Sequence, residues 1–420
     1  MITRISKILK IGGIVTGRKI YKKSKSIKIV TMIMLVMIIS SCGNKKSSLE
    51  DLQKVTTNTE DKSNNFASGL IANTDTGYYT WNIDKKHMMY FDNESEKQVI
   101  LCNRPDCEHK YDADGSVTTD VKCNGYFSDE YSKNHILTYG NSIFLIKKVN
   151  KKGLYLTQIA EDGHYREELL CLTENTSEES LNNIMLHRGY CYFAIESMKD
   201  NIAVSELYRV QLKKDAKPIK IDEIQGTSPI IMHIKGYEDE VYYVKFTCNS
   251  ESLNNPLDAK MSYELKKYDI KTETISDVLD ENIDDYVVDT VNNVLYYHRC
   301  GEAVYKCDLN TLQTEQIYSD NNLILCKLMY DGTNIYIDNL QTYICDGDIE
   351  RKIYAIDSYG NIVKKIECPV TFDKGIFECG DSKYLFNYTY DYWNYIGKDS
   401  LNQNNNDVIT QEEWKQIEWE

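Results

Sequence analysis

From about residue 68 onward, apolar positions gather in short, Tyr-rich runs, and a polar turn precedes each run. Asp75-Thr76-Gly77 leads into Tyr78-Tyr79, and Gly140-Asn141-Ser142 into Ile143-Phe144-Leu145-Ile146. Arg188-Gly189-Tyr190 leads into Cys191-Tyr192-Phe193, and Glu238-Asp239-Glu240 into Val241-Tyr242-Tyr243-Val244. Asn292-Asn293 precedes Val294-Leu295-Tyr296-Tyr297, Asp331-Gly332-Thr333-Asn334 precedes Ile335-Tyr336-Ile337, and Gly380-Asp381-Ser382-Lys383 precedes Tyr384-Leu385-Phe386. Successive runs start 65, 48, 50, 53, 41 and 49 residues apart. A second landmark, an apolar residue and a Tyr with an Asp often soon after, follows in most units: Met89-Tyr90-Phe91-Asp92, Leu154-Tyr155, Leu207-Tyr208, Tyr268-Asp269, Val304-Tyr305 with Asp308, and Ile353-Tyr354 with Asp357. Further β-rich runs come after it, such as Gln98-Val99-Ile100-Leu101 and Thr314-Glu315-Gln316-Ile317-Tyr318.

Short strands rich in β-branched and aromatic residues, split by Gly, Asn and Asp turns, predict antiparallel sheet. Three or four strands per repeat, at a period near 50, predict the blades of a β-propeller, and seven repeats predict seven blades. Each blade buries both faces, so the ring must close to hide its last edge. A β-sandwich with a second domain would account for the strands but not for the interval.

Upstream the pattern changes. Residues 1–28 carry nine Lys or Arg and no acid, and an apolar run, Ile29 to Ile39, leads to Ser40-Ser41-Cys42. A basic segment, a short apolar core and small residues at a cut site form a secretory signal. The apolar run would make a helix of about 16 Å, too short for a hydrocarbon core of about 30 Å, so a permanent membrane span is disfavoured. The segment ending at Cys42 resembles the lipobox of bacterial lipoproteins. That resemblance implies cleavage after residue 41, acylation (palmitate-type) of the Cys42 thiol, and a lipid-anchored protein on the outer face of the cell membrane. Two acyl chains, at about 0.8 kcal/mol per buried methylene, hold such a protein stably where one chain does not. The expected organisation is a signal peptide over 1–41, a flexible lipid-anchored linker over 42–66, and a propeller over 67–420. The polar linker, at roughly 5–6 Å × √n, carries the body about 25–30 Å from the membrane.

The net charge is −15, and loss of nine positive charges with the signal leaves a body near −24. Such a surface repels nucleic acid, which is excluded as a partner. Thirteen Cys are many for an exported chain and point to disulfides or metal ligands.

Four of the candidates fall together after the first repeat. Cys102, Cys107, His109 and Cys123 follow the pattern Cys-x4-Cys-x-His-x13-Cys, with Pro105 placed to bend the first loop so that Cys102 and Cys107 converge. Three thiolates and an imidazole suit a closed, structural Zn2+ site, and a disulfide between two of the three Cys explains the same residues. The stretch Leu101-Cys102-Asn103-Arg104-Pro105-Asp106-Cys107-Glu108-His109, with Met89-Tyr90-Phe91-Asp92 before it and Cys123-Asn124-Gly125-Tyr126-Phe127 after it, resembles a group of propeller lipoproteins of Gram-positive anaerobes. These are domains of unknown function akin to the YWTD-type propellers. The resemblance implies architecture and location, not chemistry, and the insertion Lys110–Lys122 departs from it.

Residues 402–413 resemble an EF-hand calcium loop, with oxygen-bearing residues at positions 1, 3 and 5 and Glu413 at position 12. Asn402 at position 1 and Asp407 at position 6 depart from that pattern, so calcium is the weaker metal expectation. Cys300 and Cys307 are a further candidate bridge across a hairpin. No Gly-x-Ser-x-Gly elbow, phosphate loop or His-Glu-x-x-His occurs. The expected function is therefore a non-catalytic module that binds an extracellular ligand or protein through loops on a rigid scaffold. The alternative is an extracellular carbohydrate-active enzyme of glycosidase type, whose paired carboxylates cannot be singled out among 64 Asp and Glu.

Overall fold

The computed structural model describes residues 69–82, 86–109, 123–140, 142–174, 180–248, 261–320, 323, 326–339, 352–369, 376–389, 392–403 and 407–417. The signal segment, Cys42 and the linker lie outside the described residues. So does the insertion between His109 and Cys123.

The described strands fall into seven antiparallel groups of four. The first contains β1 (Ile71–Asn73), β2 (Gly77–Asn82), β3 (His87–Asp92) and β4 (Lys97–Ile100). The second contains β5 (Tyr131–Tyr139), β6 (Ser142–Val149), β7 (Gly153–Ala160) and β8 (Arg166–Thr173). Groups three to five share strands: β9 (Ser180–His187), β10 (Tyr190–Lys199), β11 (Ile202–Gln211), β12 (Ile219–Tyr237), β13 (Glu240–Cys248), β14 (Met261–Asp269), β15 (Thr274–Asp289), β16 (Val294–Arg299), β17 (Ala303–Asp308) and β18 (Thr314–Tyr318). The sixth holds β19 (Cys326–Tyr330), β20 (Ile335–Asn339), β21 (Lys352–Ile356) and β22 (Ile362–Glu367). The seventh holds β23 (Ile376–Gly380), β24 (Tyr384–Thr389) and β25 (Tyr392–Gly397). After a short helix α1 (Lys398–Gln403) and β26 (Val408–Ile409), it is completed by β27 (Lys415–Gln416).

Every turn-led apolar run of the sequence is the second strand of a group: β2, β6, β10, β13, β16, β20 and β24. The reason is burial on both faces. Tyr78 packs toward group seven while Tyr79 packs toward group two. Tyr243 packs toward group three and Tyr242 toward group five; Tyr297 and Tyr296 divide the same way between groups four and six. Alternate residues of a strand point to opposite faces, so a strand buried on both sides reads as an unbroken apolar run. The second landmark is the third strand, and its Asp caps the turn that follows. Asp269 Oδ1 accepts from the Lys271 and Thr272 N–H groups at 2.8 and 2.7 Å, and Asp308 and Asp357 do the same in their turns.

Seven core clusters form a cycle. Each lies between consecutive groups, and the last joins Tyr384, Phe386, Trp393 and Tyr395 of group seven to Ile71, Tyr78 and Phe91 of group one. First strands neighbour one another where β1 meets β5, β5 meets β9, β9 meets β12 and β15 meets β19. This cyclic stack of four-stranded sheets is a β-propeller.

Two strands are far longer than the sequence pattern suggested. β12 spans 19 residues and β15 spans 16. Each serves two groups: β12 pairs with β11 up to Gly226 and with β13 from Thr227, and β15 changes partner between Asn282 and Ile283. The outer strand of one group thus runs straight into the inner strand of the next, with no turn residues to mark the step.

The turns between first and second strands latch the groups together. Asp289, Asp331 and Asp381 each use one carboxylate oxygen to accept turn N–H groups. The other oxygen accepts from the next group: Tyr330 at 2.9 Å, Lys398 at 2.6 Å and Tyr78 respectively.

Candidate metal centre

β4 ends at Ile100, but β3 continues beyond it, and residues after Cys123 take over as its neighbour. The Leu101 N–H donates to the Met88 carbonyl, the Met88 N–H to Gly125, and the Phe127 N–H to Lys86. This brings Cys123 beside the loop that leaves β4. In that loop the Cys107 N–H donates to the Arg104 carbonyl at 3.3 Å, closing a turn with Pro105 in the position where its fixed φ is favoured. Cys102 and Cys107, at the two ends of the bend, converge as the spacing predicted.

The three sulfurs and one imidazole nitrogen lie within 4.8 Å of one another. His109 Nδ1 is 3.2 Å from Cys107 Sγ and 3.4 Å from Cys123 Sγ. A tetrahedral Zn2+ with bonds of about 2.3 Å to sulfur and about 2.0 Å to nitrogen separates its ligands by about 3.5–3.8 Å. The donor set therefore fits a metal without rearrangement of its backbone. His109 adopts a left-handed conformation (φ 47°), which turns its ring back toward the sulfurs. Cys123 is buried and the other three are partly exposed.

The thiols differ in acidity. Burial, with a smaller contribution from the charge of Cys102, pushes the Cys123 thiol up to about 12. Burial also opposes ionisation of Cys102, but N–H donation from Arg104 and Asn124 and the neighbouring thiols outweigh it and lower that thiol. Cys102 is thus the sulfur most ready to ionise, and a cation at the centre would favour the thiolate form of all three.

The second group holds the centre from outside. Asn103 donates to Asp162 at 2.6 Å, and Asn124 donates to Asn103 at 2.7 Å. Arg166 donates to the Asn124 carbonyl and stacks 3.7 Å over the Phe127 ring. Gly163 (φ 74°) lets its turn approach so closely that a Cβ would sit 2.9 Å from the carbonyls of Asn124 and Leu101. None of these outer partners was signalled by the sequence, because they come from the β7–β8 turn, some 40 residues further on.

The calcium-like stretch is described only at its ends, 402–403 and 407–413. Asp407 and β26 run parallel to β22, with Ile409 buried opposite Ile366. The Glu413 carboxylate accepts the Thr410 N–H at 2.6 Å, a capping box. Residues 404–406 lie outside the described residues. The Cys300–Cys307 bridge is not formed: Cys307 stands opposite Leu295 in the β16–β17 pair, while Cys300 lies beyond the end of β16.

Sequence reasoning also missed the charges buried near the ring centre. Lys235 Nζ lies 3.2 Å from Asp285 Oδ1, and both side chains are almost fully buried. Asp285 also accepts the Leu328 N–H at 2.7 Å and the Tyr286 N–H at 2.8 Å, so one carboxylate ties β12, β15 and β19 together. Their only trace in the sequence is a charge inside an otherwise apolar run, as in Ile234-Lys235-Gly236.

No family model matches the chain, and no curated protein matches its sequence. Its structure is similar to that of a prolyl endopeptidase, at 11% identity and a TM-score of 0.52. That match covers 85% of this chain and 51% of the other, so this chain spans about half the length of that enzyme. It is also similar to oligogalacturonate lyase in complex with manganese (10% identity, TM-score 0.42, 64% of this chain and 74% of that one). A third match is TolB from Acinetobacter baumannii (10% identity, TM-score 0.39, 78% and 76%). At these identities the likeness concerns the fold alone.

Proposed function

We propose that this chain is a seven-bladed propeller displayed on the outer face of the cell membrane through an acylated Cys42, where it binds an extracellular ligand or protein without turning it over. The observation that carries the reading is the pairing of a lipobox-like segment with a ring whose turns are latched group to group. A rigid ring on a polar tether leaves its loops free to make contacts. The Cys102, Cys107, His109 and Cys123 centre holds a structural Zn2+ in this reading. All four positions come from the protein, which leaves no open site for a substrate. The test is cell fractionation with a labelled fatty acid. The full chain takes up label and stays with the membrane, whereas Cys42→Ala takes up none. Label on the Cys42→Ala chain would refute the anchor.

A further inference from the structure

The three sulfurs of the Cys102 centre differ in reach. Cys102 and Cys107 lie at the two ends of one bend and are partly exposed, whereas Cys123 arrives on the returning segment and is only 5% exposed. All three are free thiols, and the ligand atoms of the centre lie within 4.8 Å of one another. A disulfide needs its sulfurs about 2.05 Å apart, so side-chain rotation has little distance left to close. The bend is already drawn tight, with the Cys107 N–H donating to the Arg104 carbonyl at 3.3 Å. An outside reagent must reach the sulfur it reacts with, so burial keeps Cys123 out of the first step.

The returning segment does not depend on the sulfurs for its place. The Met88 N–H donates to the Gly125 carbonyl and the Phe127 N–H to the Lys86 carbonyl, each at 2.9 Å. Phe127 is 1% exposed, with its ring 5.4 Å from that of Trp81 and the Arg166 guanidinium stacked on it. The sulfur chemistry of the bend is therefore separable from the packing of groups one and two.

We propose that Cys102 and Cys107 are a dithiol modification site that exchanges with small organic disulfides and thereby empties the metal centre. One of the two thiolates attacks a sulfur of the small disulfide, whose S–S bond breaks and whose first half leaves as a thiolate. The second Cys attacks the mixed disulfide and expels the other half. The two Cys sulfurs lose two electrons and the small disulfide gains them. The expelled thiolates take the protons of the Cys thiols or, starting from the metal-bound thiolates, protons from solvent. Cys123 and His109 are then the only ligands left where Zn2+ takes four, so the ion leaves. This rests on the structural-metal reading above and names what regulates that centre.

The experiment uses the full chain in detergent, supplied with zinc and then incubated without oxygen in oxidised glutathione. A chromogenic chelator follows zinc release, peptide mapping finds which Cys are joined, and circular dichroism follows the ring. About one zinc per chain is released in step with a Cys102–Cys107 bridge, and the spectrum does not change. Dithiothreitol followed by fresh zinc restores the starting state. Cys107→Ser holds one glutathione on Cys102 and forms no bridge. The map assigns the bridge by residue, so glutathione on the partly exposed Cys171, Cys248 or Cys300 does not count toward it. A bridge that includes Cys123, zinc retained in a large excess of oxidised glutathione, or loss of the β-sheet spectrum overturns the proposal. A chain that never takes up zinc overturns the metal reading instead, and the peptide map still decides the exchange.

Discussion

Cys102 and Cys107 show what a residue can announce by itself. Their spacing around Pro105 and the nearby His109 made a candidate metal centre legible, because a bend of six residues has few ways to fold. Cys123 was legible only by its chemistry, since the residues between it and His109 say nothing about return. What closes the gap is a backbone neighbour, β3, and a turn from another group that packs through Gly163. If the donor set holds zinc as its distances allow, elemental analysis of the purified chain finds about one zinc per molecule. Cys123→Ser lowers it to near zero, since the buried sulfur is the one ligand that the returning segment supplies. A zinc content unchanged in Cys123→Ser would mean that the metal sits elsewhere.

Strands were legible in proportion to how fully they are buried. The second strands are covered on both faces and read as apolar runs, while first strands carry buried charges such as Lys235 and Asp285. The long β12 and β15 were not legible, because a strand that leaves one sheet for the next needs no turn residue. The latching turns were visible as Asp-led segments, but their second partners were not. Asp331 shows the energetics of a latch. Burial opposes its ionisation, yet Lys398, the Thr333 and Asn334 N–H groups and the Tyr336 hydroxyl hold its carboxyl below the ordinary value of 3.8. Burial also lowers Lys398, whose ammonium lies 2.6 Å from Asp331 Oδ2 and favours the charged form of both groups. The unfolded chain therefore binds the Asp331 proton more tightly than the folded one. The stabilisation is fully present above the unfolded value and is lost as pH falls through the lower folded value. Asp331→Asn leaves the buried ammonium unpaired and costs about 3–5 kcal/mol at neutral pH. Urea melts of the two chains begin to converge as pH falls below 3.8 and meet below the lower folded value, and a gap that persists below that value would mean that the charge is not what the latch uses.

At the scale of the ring, closure is the unsolved step for any cyclic stack. Here groups one and seven are each built from their own segment of chain, so no strand among the described residues crosses the seam between them. Among the described residues side-chain contacts hold it, with Lys383 donating to the Asp75 carbonyl at 2.9 Å. Tyr78, Phe91, Tyr384, Phe386, Trp393 and Tyr395 interleave, with the Tyr78 and Phe386 rings 4.6 Å apart and Phe91 and Tyr395 5.0 Å apart. At the rim, Glu96 accepts from Lys415 at 2.6 Å and from Tyr395 at 3.1 Å, but Glu96 and Lys415 remain 41% and 58% exposed. An exposed pair of this kind contributes about 0–1 kcal/mol, whereas removing a buried Phe costs about 3–5 kcal/mol. The aromatic seam, not the ion pair, should therefore decide whether the ring stays shut. Phe386→Ala is expected to lower the urea midpoint strongly and to speed hydrogen exchange first in β1, β2 and β24. Glu96→Gln should shift the midpoint little and erase only its dependence on salt. If Glu96→Gln proved the more damaging of the two, the seam would be electrostatic, and the aromatic run Tyr384-Leu385-Phe386 would be packing like that of any other group.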